Sequence, residues 1–571
     1  MKKIALTFVF ILLFASAALA APIIKAIDVE GNVSVVKERI LSVIKSKVGE
    51  PIDKEKLKED LKRIYDLGFF KSVSIKVRPC EDGVKVIFVV EEFEPIKEIK
   101  IEGNTVVSTD KIRKVMFLAE GMRFNSVFFK HDIERIIDLY RREGYGLIRI
   151  MDAGFRDGVL FLKILEPRVK QIIIQGNKRT KDYVIRRYIL LKPGEVLNTK
   201  KLRLSLRRLE ALDYFENVEA YPEPTEKIGW LNIVFTVKEK STTRLMLGIG
   251  YGSQTGWEGE AAFQDVNFLG RGIHAGIGLE LGEREKYWLR WEDPWMDEKH
   301  FSYKIGVYKK DYSDVSWYDP DTGEEKGKYD EEAEGFYVGV GRKLNDKLAL
   351  FLTFTNESVD ITPTSGEAPD KEDVLQGEVR YLTLTLRRDN TDPYLPYSLG
   401  DVESLSVQDA GLLGGDYDYT KYWAEVRLYY PFKLNELLGI ELGFPTKEGK
   451  PWILASRVRY GDSSGTVPYF EKYFLGGANT LRGYPRDYLF GDKVFLANLE
   501  LRVPVEKGLE LVVFNDWGYA WKKDESFSFS DLKRGIGFGL RVRTPFGVIR
   551  FDFGKDEEGN TQSYISFGEL F

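Results

Sequence analysis

The sequence predicts an α+β repeat region joined to a transmembrane β-barrel. Three β-α-α-β-β modules are expected over residues 21–93, 94–166 and 167–240, followed by an antiparallel barrel of about 16 strands over 241–571. Three observations carry this. Gly-Asn pairs recur at Gly31-Asn32, Gly103-Asn104 and Gly176-Asn177, 72 and 73 residues apart. The composition changes sharply after residue 240. From there on the hydrophobic pattern has period two.

Residues 1–20 read as a cleavable signal peptide. Lys2-Lys3 precedes an apolar run from Ile4 to Phe14, and Ala18-Leu19-Ala20 supplies the small residues of a cleavage site. No later run reaches the roughly 18 apolar residues of a helical span. The single cysteine, Cys80, excludes a disulfide framework, and one Cys with three His argues against a clustered zinc site. A net charge of −5 argues against nucleic-acid binding. That charge conceals an asymmetry: residues 21–240 hold 43 basic and 34 acidic side chains, and residues 241–571 hold 39 and 55.

Within each module a strand ends at the Gly-Asn pair, where tolerance of positive φ suits a turn. Gly49, Gly121 and Gly194 follow, each 18 residues after the first glycine. Two amphipathic helices come next. In the third copy Leu202, Leu206, Leu209 and Leu212 fall at helical spacing among basic residues. Two strands close each module, as in Val73–Val77 and Val84–Val90. An open three-stranded sheet has edges to which an extended client segment can add as a further strand. The basic excess of the third copy would also favour anionic lipid head groups, although a solvated helix face explains it more simply.

Residues 241–571 contain 40 of the 53 Gly, 9 of the 10 Trp and 23 of the 30 Tyr. Leu245, Leu247, Ile249 and Tyr251 alternate with Arg244, Gly248 and Gly250, and Ile536, Phe538, Leu540 and Val542 with Gly537, Gly539, Arg541 and Arg543. An exported chain without a helical span can cross a membrane only as a closed barrel, which satisfies every backbone group, and Tyr and Trp suit its aromatic girdles. At about 20 residues per strand and turn, the segment allows about 16 strands. The acidic segments Asp311–Glu334 and Thr362–Asp373 read as external loops.

Several motifs lie within this pattern: Gly476-Gly477-Ala478-Asn479-Thr480-Leu481-Arg482-Gly483-Tyr484, Asp265-Val266-Asn267-Phe268-Leu269-Gly270-Arg271-Gly272, Phe514-Asn515-Asp516-Trp517-Gly518, and Thr544-Pro545-Phe546-Gly547 leading to Arg550-Phe551-Asp552-Phe553-Gly554, with a terminal Phe571. Together with the modules they resemble the BamA/TamA superfamily of outer-membrane protein assembly factors, with its POTRA modules and barrel. The resemblance covers essentially the whole mature chain. It implies that Leu481, Arg482, Gly483 and Tyr484 form the tip of a loop folded into the lumen, where Arg482 pairs with Asp516 and Asp552. A planar guanidinium fits such carboxylates bidentately. Gly461-Asp462-Ser463-Ser464-Gly465 fits a nucleophile-elbow pattern, but no helix follows and no histidine comes later, so it reads as a turn.

A barrel must join its first and last strands. The first, about Arg244 to Gly252, carries Gly248, Gly250 and Gly252 on its lumen face, and glycine leaves a strand weak and its register loose. The last, about Gln562 to Phe571, is short, with Phe567 and Phe571 facing lipid. A weak lateral seam is expected there, opening to template strands of an incoming barrel protein without ATP, metal or other cofactor. The resemblance implies a non-enzymatic insertase in the bacterial outer membrane, with unfolded β-barrel clients, periplasmic chaperones or accessory lipoproteins, and outer-membrane lipids as partners. The alternatives are a two-partner secretion translocator, a TamA-like factor with few clients, and a passive porin. Three modules disfavour the first of these, and a lumenal loop disfavours the porin.

Overall fold

The computed structural model describes residues 21–571 except 253–255, 298, 320–321, 370–373, 392–398, 433–450, 507, 545–546 and 569. The expected signal peptide and, of the motif residues, Pro545 and Phe546 lie outside the described residues. The chain divides into two compact units. One runs through Ile173 and adds Leu190–Leu204 and Ala220–Val234; the other comprises Ile174–Ile189, Ser205–Glu219 and Phe235–Phe571.

The first module contains β1 (Ile24–Glu30), α1 (Lys37–Leu41), α2 (Lys54–Tyr65), β2 (Phe70–Cys80) and β3 (Gly83–Glu92). Its sheet has the order β1-β3-β2, with β1 parallel and β2 antiparallel to the central β3. Asp53 caps α2 by accepting from the Glu55 and Lys56 N–H groups. Ile40 and Ile64 of the helices are buried against Val86 and Phe88 of β3. The second module repeats this with β4 (Glu98–Glu102), α3 (Thr109–Val115), α4 (Ser126–Glu143), β5 (Arg149–Arg156) and β6 (Val159–Leu165), in the order β4-β6-β5. The third has β7 (Arg168–Gln175), α5 (Asp182–Arg186), α6 (Thr199–Glu210), β8 (Phe215–Pro224) and β9 (Trp230–Glu239), in the order β7-β9-β8.

The repeated glycine has a double cause. Gly31, Gly103 and Gly176 have φ of +90°, +86° and +89°. A Cβ on them would also sit about 2 Å from the carbonyl oxygens of Val90, Ile164 and Val237. The loop that follows is closed by a carboxylate at or just beyond the end of the module's last strand. Glu92 accepts from the N–H groups of Val33, Ser34 and Val35, Glu166 from Thr105 and Val106, and Glu239 from Lys178, Arg179 and Thr180. Burial alone would raise the Glu92 and Glu239 carboxyls. The Ser34 and Thr180 hydroxyls and these N–H groups outweigh it and hold both below the usual range.

No helix among the described residues is long and apolar enough to cross a membrane. The C-terminal half is instead a closed antiparallel barrel of 16 strands: β10 (Thr243–Gly252), β11 (Gly256–Phe268), β12 (Ile273–Leu281), β13 (Arg284–Asp293), β14 (Phe301–Tyr318), β15 (Glu325–Lys343), β16 (Leu348–Gly366), β17 (Gln376–Asp389), β18 (Gly400–Gly411), β19 (Gly414–Phe432), β20 (Trp452–Gly465), β23 (Lys493–Glu506), β24 (Leu509–Trp521), β25 (Lys533–Thr544), β26 (Gly547–Lys555) and β27 (Thr561–Phe567). The remaining β21 (Tyr473–Leu475) and β22 (Leu489–Gly491) pair with each other inside the loop joining β20 to β23. Leu245, Leu247, Ile249, Ile277, Leu289, Val338 and Phe538 are exposed, as a lipid-facing band requires.

Two segments differ from the sequence expectation. Residues 311–318 and 325–334 extend β14 and β15, and β16 continues to Gly366, so much of the expected external loop is strand. Strand beyond the bilayer has no need of apolar residues, and its acidic composition imitates a loop. Gly461–Gly465 likewise ends β20 rather than forming a turn, with the Ser463 hydroxyl donating to the Asp492 carbonyl at 2.7 Å.

Candidate functional site

The loop between β20 and β23 folds back against the inward faces of the barrel strands. Tyr469 and Phe490 are buried with Val315 and Tyr329, and Leu475 and Leu481 with Leu496 and Ala520. At its tip Arg482 is 0% exposed. Its Nε and Nη2 donate to the two Asp516 oxygens at 2.7 and 2.9 Å, the bidentate arrangement a guanidinium favours. Nη1 donates to Glu500 at 2.7 Å, and the guanidinium carbon lies 3.5 Å from the Phe514 ring centroid. Asp552 stands 3.6 Å from Arg482 and 2.8 Å from Arg541. It accepts no aligned hydrogen bond among the described residues and is held by charge.

This network spans the closing strands. Asp516 is on β24, Glu500 on β23, and Asp552 on β26. Arg541 of β25 and Arg502 of β23 complete the charge around Glu500 at 3.1 and 2.8 Å. Asn498 donates to the Thr480 carbonyl and to Asp516, and accepts from Arg457. The Tyr484 carbonyl accepts from Tyr564 of β27, and Gly483 N donates to the same hydroxyl. Glycines admit the loop: a Cβ on Gly535 would lie 1.7 Å from the Arg482 carbonyl oxygen, and one on Gly554 2.5 Å from Gly483 N.

The other expected motif binds a different segment of the same compact unit. Asp265 accepts from Thr242 at 2.7 Å and pairs with Arg179. Asn267 donates to Thr180 at 2.9 Å and accepts from Gly272 N, while Gly270 O accepts from Lys181 N. Residues 265–272 therefore fasten the Gly176–Lys181 loop to the turn between β11 and β12.

At the barrel closure β10 pairs with β11 along its whole length, from Thr243↔Asp265 to Gly252↔Gly256. With β27 it pairs, among the described residues, only at Tyr251↔Ile565 and Gly252↔Tyr564. Most of β10 is thus an edge strand with unpaired backbone groups. A Cβ on Gly248 would meet the Phe567 ring at 2.9 Å, and one on Gly250 the Ile565 carbonyl oxygen at 3.0 Å.

Phe571 departs from expectation. The last strand ends at Phe567, and Gly568, with φ +85°, breaks the alternation. Phe571 is 7% exposed and packs with Val402, Tyr429 and Ile453, with Arg457 and Arg502 over its ring at 5.2 and 5.3 Å. It lies within the barrel and not at the lipid-facing seam. Phe567 also meets the lumenal side of β10, since Gly248 shares that face with Glu260. Glu500 was absent from the sequence expectation although it was legible: Asn498, Glu500 and Arg502 alternate with apolar Leu499, Leu501 and Val503.

Fold and site together define an outer-membrane barrel that carries N-terminal α+β modules and an arginine-tipped loop packed into its lumen. The Omp85 superfamily domain matches residues 267–571, and the POTRA family, described as surface antigen variable number repeat, matches residues 22–92, 95–150 and 167–240. The chain belongs to the Omp85 superfamily. It is 25% identical over 539 residues to outer membrane protein assembly factor BamA of Nitratidesulfovibrio vulgaris, covering 87% of this chain and 65% of that relative, so it spans just under two thirds of that protein's length. In fold it is similar to BamA from Haemophilus ducreyi lacking POTRA domains 1-3 (TM-score 0.55, 17% identity, 83% of this chain and 99% of that one). It is similar also to CdiB from Escherichia coli (TM-score 0.56, 15% identity, 83% and 90%). The protein resides in the outer membrane with its N-terminal modules in the periplasm.

Proposed function

We propose that this protein assembles and inserts β-barrel proteins into the outer membrane, its modules guiding unfolded clients by strand augmentation and its β10 edge templating their strands. The observation that carries this is the closure: β10 has a complete ladder with β11 and two residue pairs with β27. An unpaired edge is a template for another strand. The β2, β5 and β8 edges of the modules offer the same chemistry to an extended segment. Chaperones or accessory lipoproteins would deliver clients, and lipids would receive them. The process draws on folding free energy and uses no cofactor or catalytic group.

Cysteine pairs between Leu247→Cys and a client's last strand, in a Cys80→Ser background, test the reading. Crosslinks at β10 and none at a β18 control are expected; crosslinks only away from the seam would refute it. The alternative is a two-partner secretion translocator that passes a client through the lumen. The buried Arg482 network disfavours it, because passage through the lumen would require that network to be dismantled. Depletion in the native host separates a general role, with broad loss of barrel proteins, from a TamA-like role with loss of a few.

A further inference from the structure

The lumenal loop has a second attachment, on the opposite side of the seam from Arg482. Arg486 pairs with Glu258 of β11 at 3.2 Å, and Asp487 with Arg284 of β13 at 2.6 Å. Arg482 holds β23, β24 and β26. A stretch of six residues, 482–487, therefore bridges the opening and closing strands behind a seam whose own strands share only two residue pairs.

The two attachments are built differently. Arg482 and its three carboxylates are all 0% exposed. Separating such a group strands buried charges, which is costly. At the other end the side chains of Arg486 and Glu258 are 41% and 35% exposed, and those of Arg284 and Asp487 13% and 23%. Water can replace the exposed Arg486–Glu258 pair, which is therefore weak and sensitive to salt; the Arg284–Asp487 pair is more buried, but the Arg284 Nε finds no hydrogen-bond partner among the described residues. Asp487 also has φ +57°, a left-handed conformation that non-glycine residues rarely adopt. Behind this end lies a cavity of about 400 Å³ lined by Gly250, Glu260, Arg284, Asn479, Tyr564 and Phe567. The loop is packed solid around Arg482, whereas a cavity lies beside its Arg486–Asp487 end, walled by β10 and β11 on one side and β27 on the other.

We propose that Arg486 and Asp487 form a releasable clasp: the loop stays fixed to the closing strands through Arg482 and lets go of Glu258 and Arg284 when the seam opens. The clasp holds β11 and β13, and with them β10, at the spacing that permits the two pairs to β27. On release those two pairs alone resist separation, and the cavity becomes continuous with the gap between β10 and β27. The clasp rests on the seam described under the proposed function, but it concerns what keeps the seam shut, not what enters it.

The test uses full-length protein in lipid vesicles, without client, in a Cys80→Ser background. Tyr251→Cys and Ile565→Cys face each other in register, so the oxidised fraction reports the closed seam. Arg486→Gln with Asp487→Asn is expected to lower that fraction severalfold. The charge swap Arg284→Asp with Asp487→Arg should restore most of what Asp487→Asn alone loses. Glu258→Gln, confined to the more exposed pair, should lower the fraction about twofold and guards against misfolding of the double variant. An unchanged fraction in both the double variant and Glu258→Gln would overturn the clasp, as would a charge swap that fails to recover. Because no client is present, such a failure leaves the insertion reading intact, and a failure of client trapping at Leu247→Cys leaves the clasp intact.

Discussion

Strand β10 is bonded along its full length on one side and at two positions on the other, whereas β24, three strands before the last of the barrel, is bonded on both sides and nailed from within by Arg482. The same barrel thus contains its firmest and its loosest closures within four strands of each other. Where the protein needs a fixed reference it buries a guanidinium among three carboxylates. At the β10–β27 closure only two residue pairs form among the described residues, and glycines stand at the contact.

Changes to the firm side should have the largest effects. Arg482→Ala leaves Glu500, Asp516 and Asp552 buried without their shared cation, and should destabilise the barrel by about 3–5 kcal/mol. The loss would be read as a lowered heat-modifiability transition on gels. Arg482→Lys should recover only part of it, because a point charge cannot reproduce the bidentate fork on Asp516. Phe571→Ala should cost about 2 kcal/mol, less than a fully enclosed Phe, since a chain end relaxes more easily. Its place in the lumen further predicts that the Tyr251–Ile565 crosslink survives the change; a residue of the seam would lower it. Gly554→Ala should cost about 1–2 kcal/mol by pushing against Gly483 N, and should loosen the loop tip without altering the seam register.

The smallest effect lies outside the barrel. The Glu92 and Glu239 carboxyls are held below their ordinary range, so the stabilisation of their Gly-Asn loops is complete above the unfolded value of about 4.3 and is lost as the pH falls through the lower folded value. Hydrogen exchange at residues 33–35 and 178–180 should remain slow, after correction for intrinsic rates, down to about pH 4 and accelerate below it. Glu239→Gln should abolish the pH dependence at 178–180 and leave 33–35 unchanged.

What was legible in the sequence was whatever repeats. The Gly-Asn spacing gave three modules, and alternation gave the barrel, because both report local geometry that each residue must satisfy by itself. The carboxylates that close the repeats, Glu92, Glu166 and Glu239, recur with nearly the same spacing but emerge only when one asks what the loop N–H groups bond to. Arg482 and Asp516 followed from a family likeness, whereas Glu500 required reading which face of β23 points inward. Other features were not legible. Parity alone put Phe571 on the lipid face, and the turn at Gly568 overrides parity. The two-pair closure depends on how sixteen strands stagger around a ring, which no local pattern encodes. The charged ends of β14 and β15 passed for loops because nothing about strand outside a bilayer demands apolar residues.

Locking the seam tests the central claim most directly. In a Cys80→Ser background, the Tyr251→Cys/Ile565→Cys protein would be oxidised in vesicles, supplied with an unfolded β-barrel client, and compared with the same sample after reduction. The account predicts that client folding stops while the bond is intact and resumes when it is reduced. Insertion at an equal rate with the seam locked would contradict it.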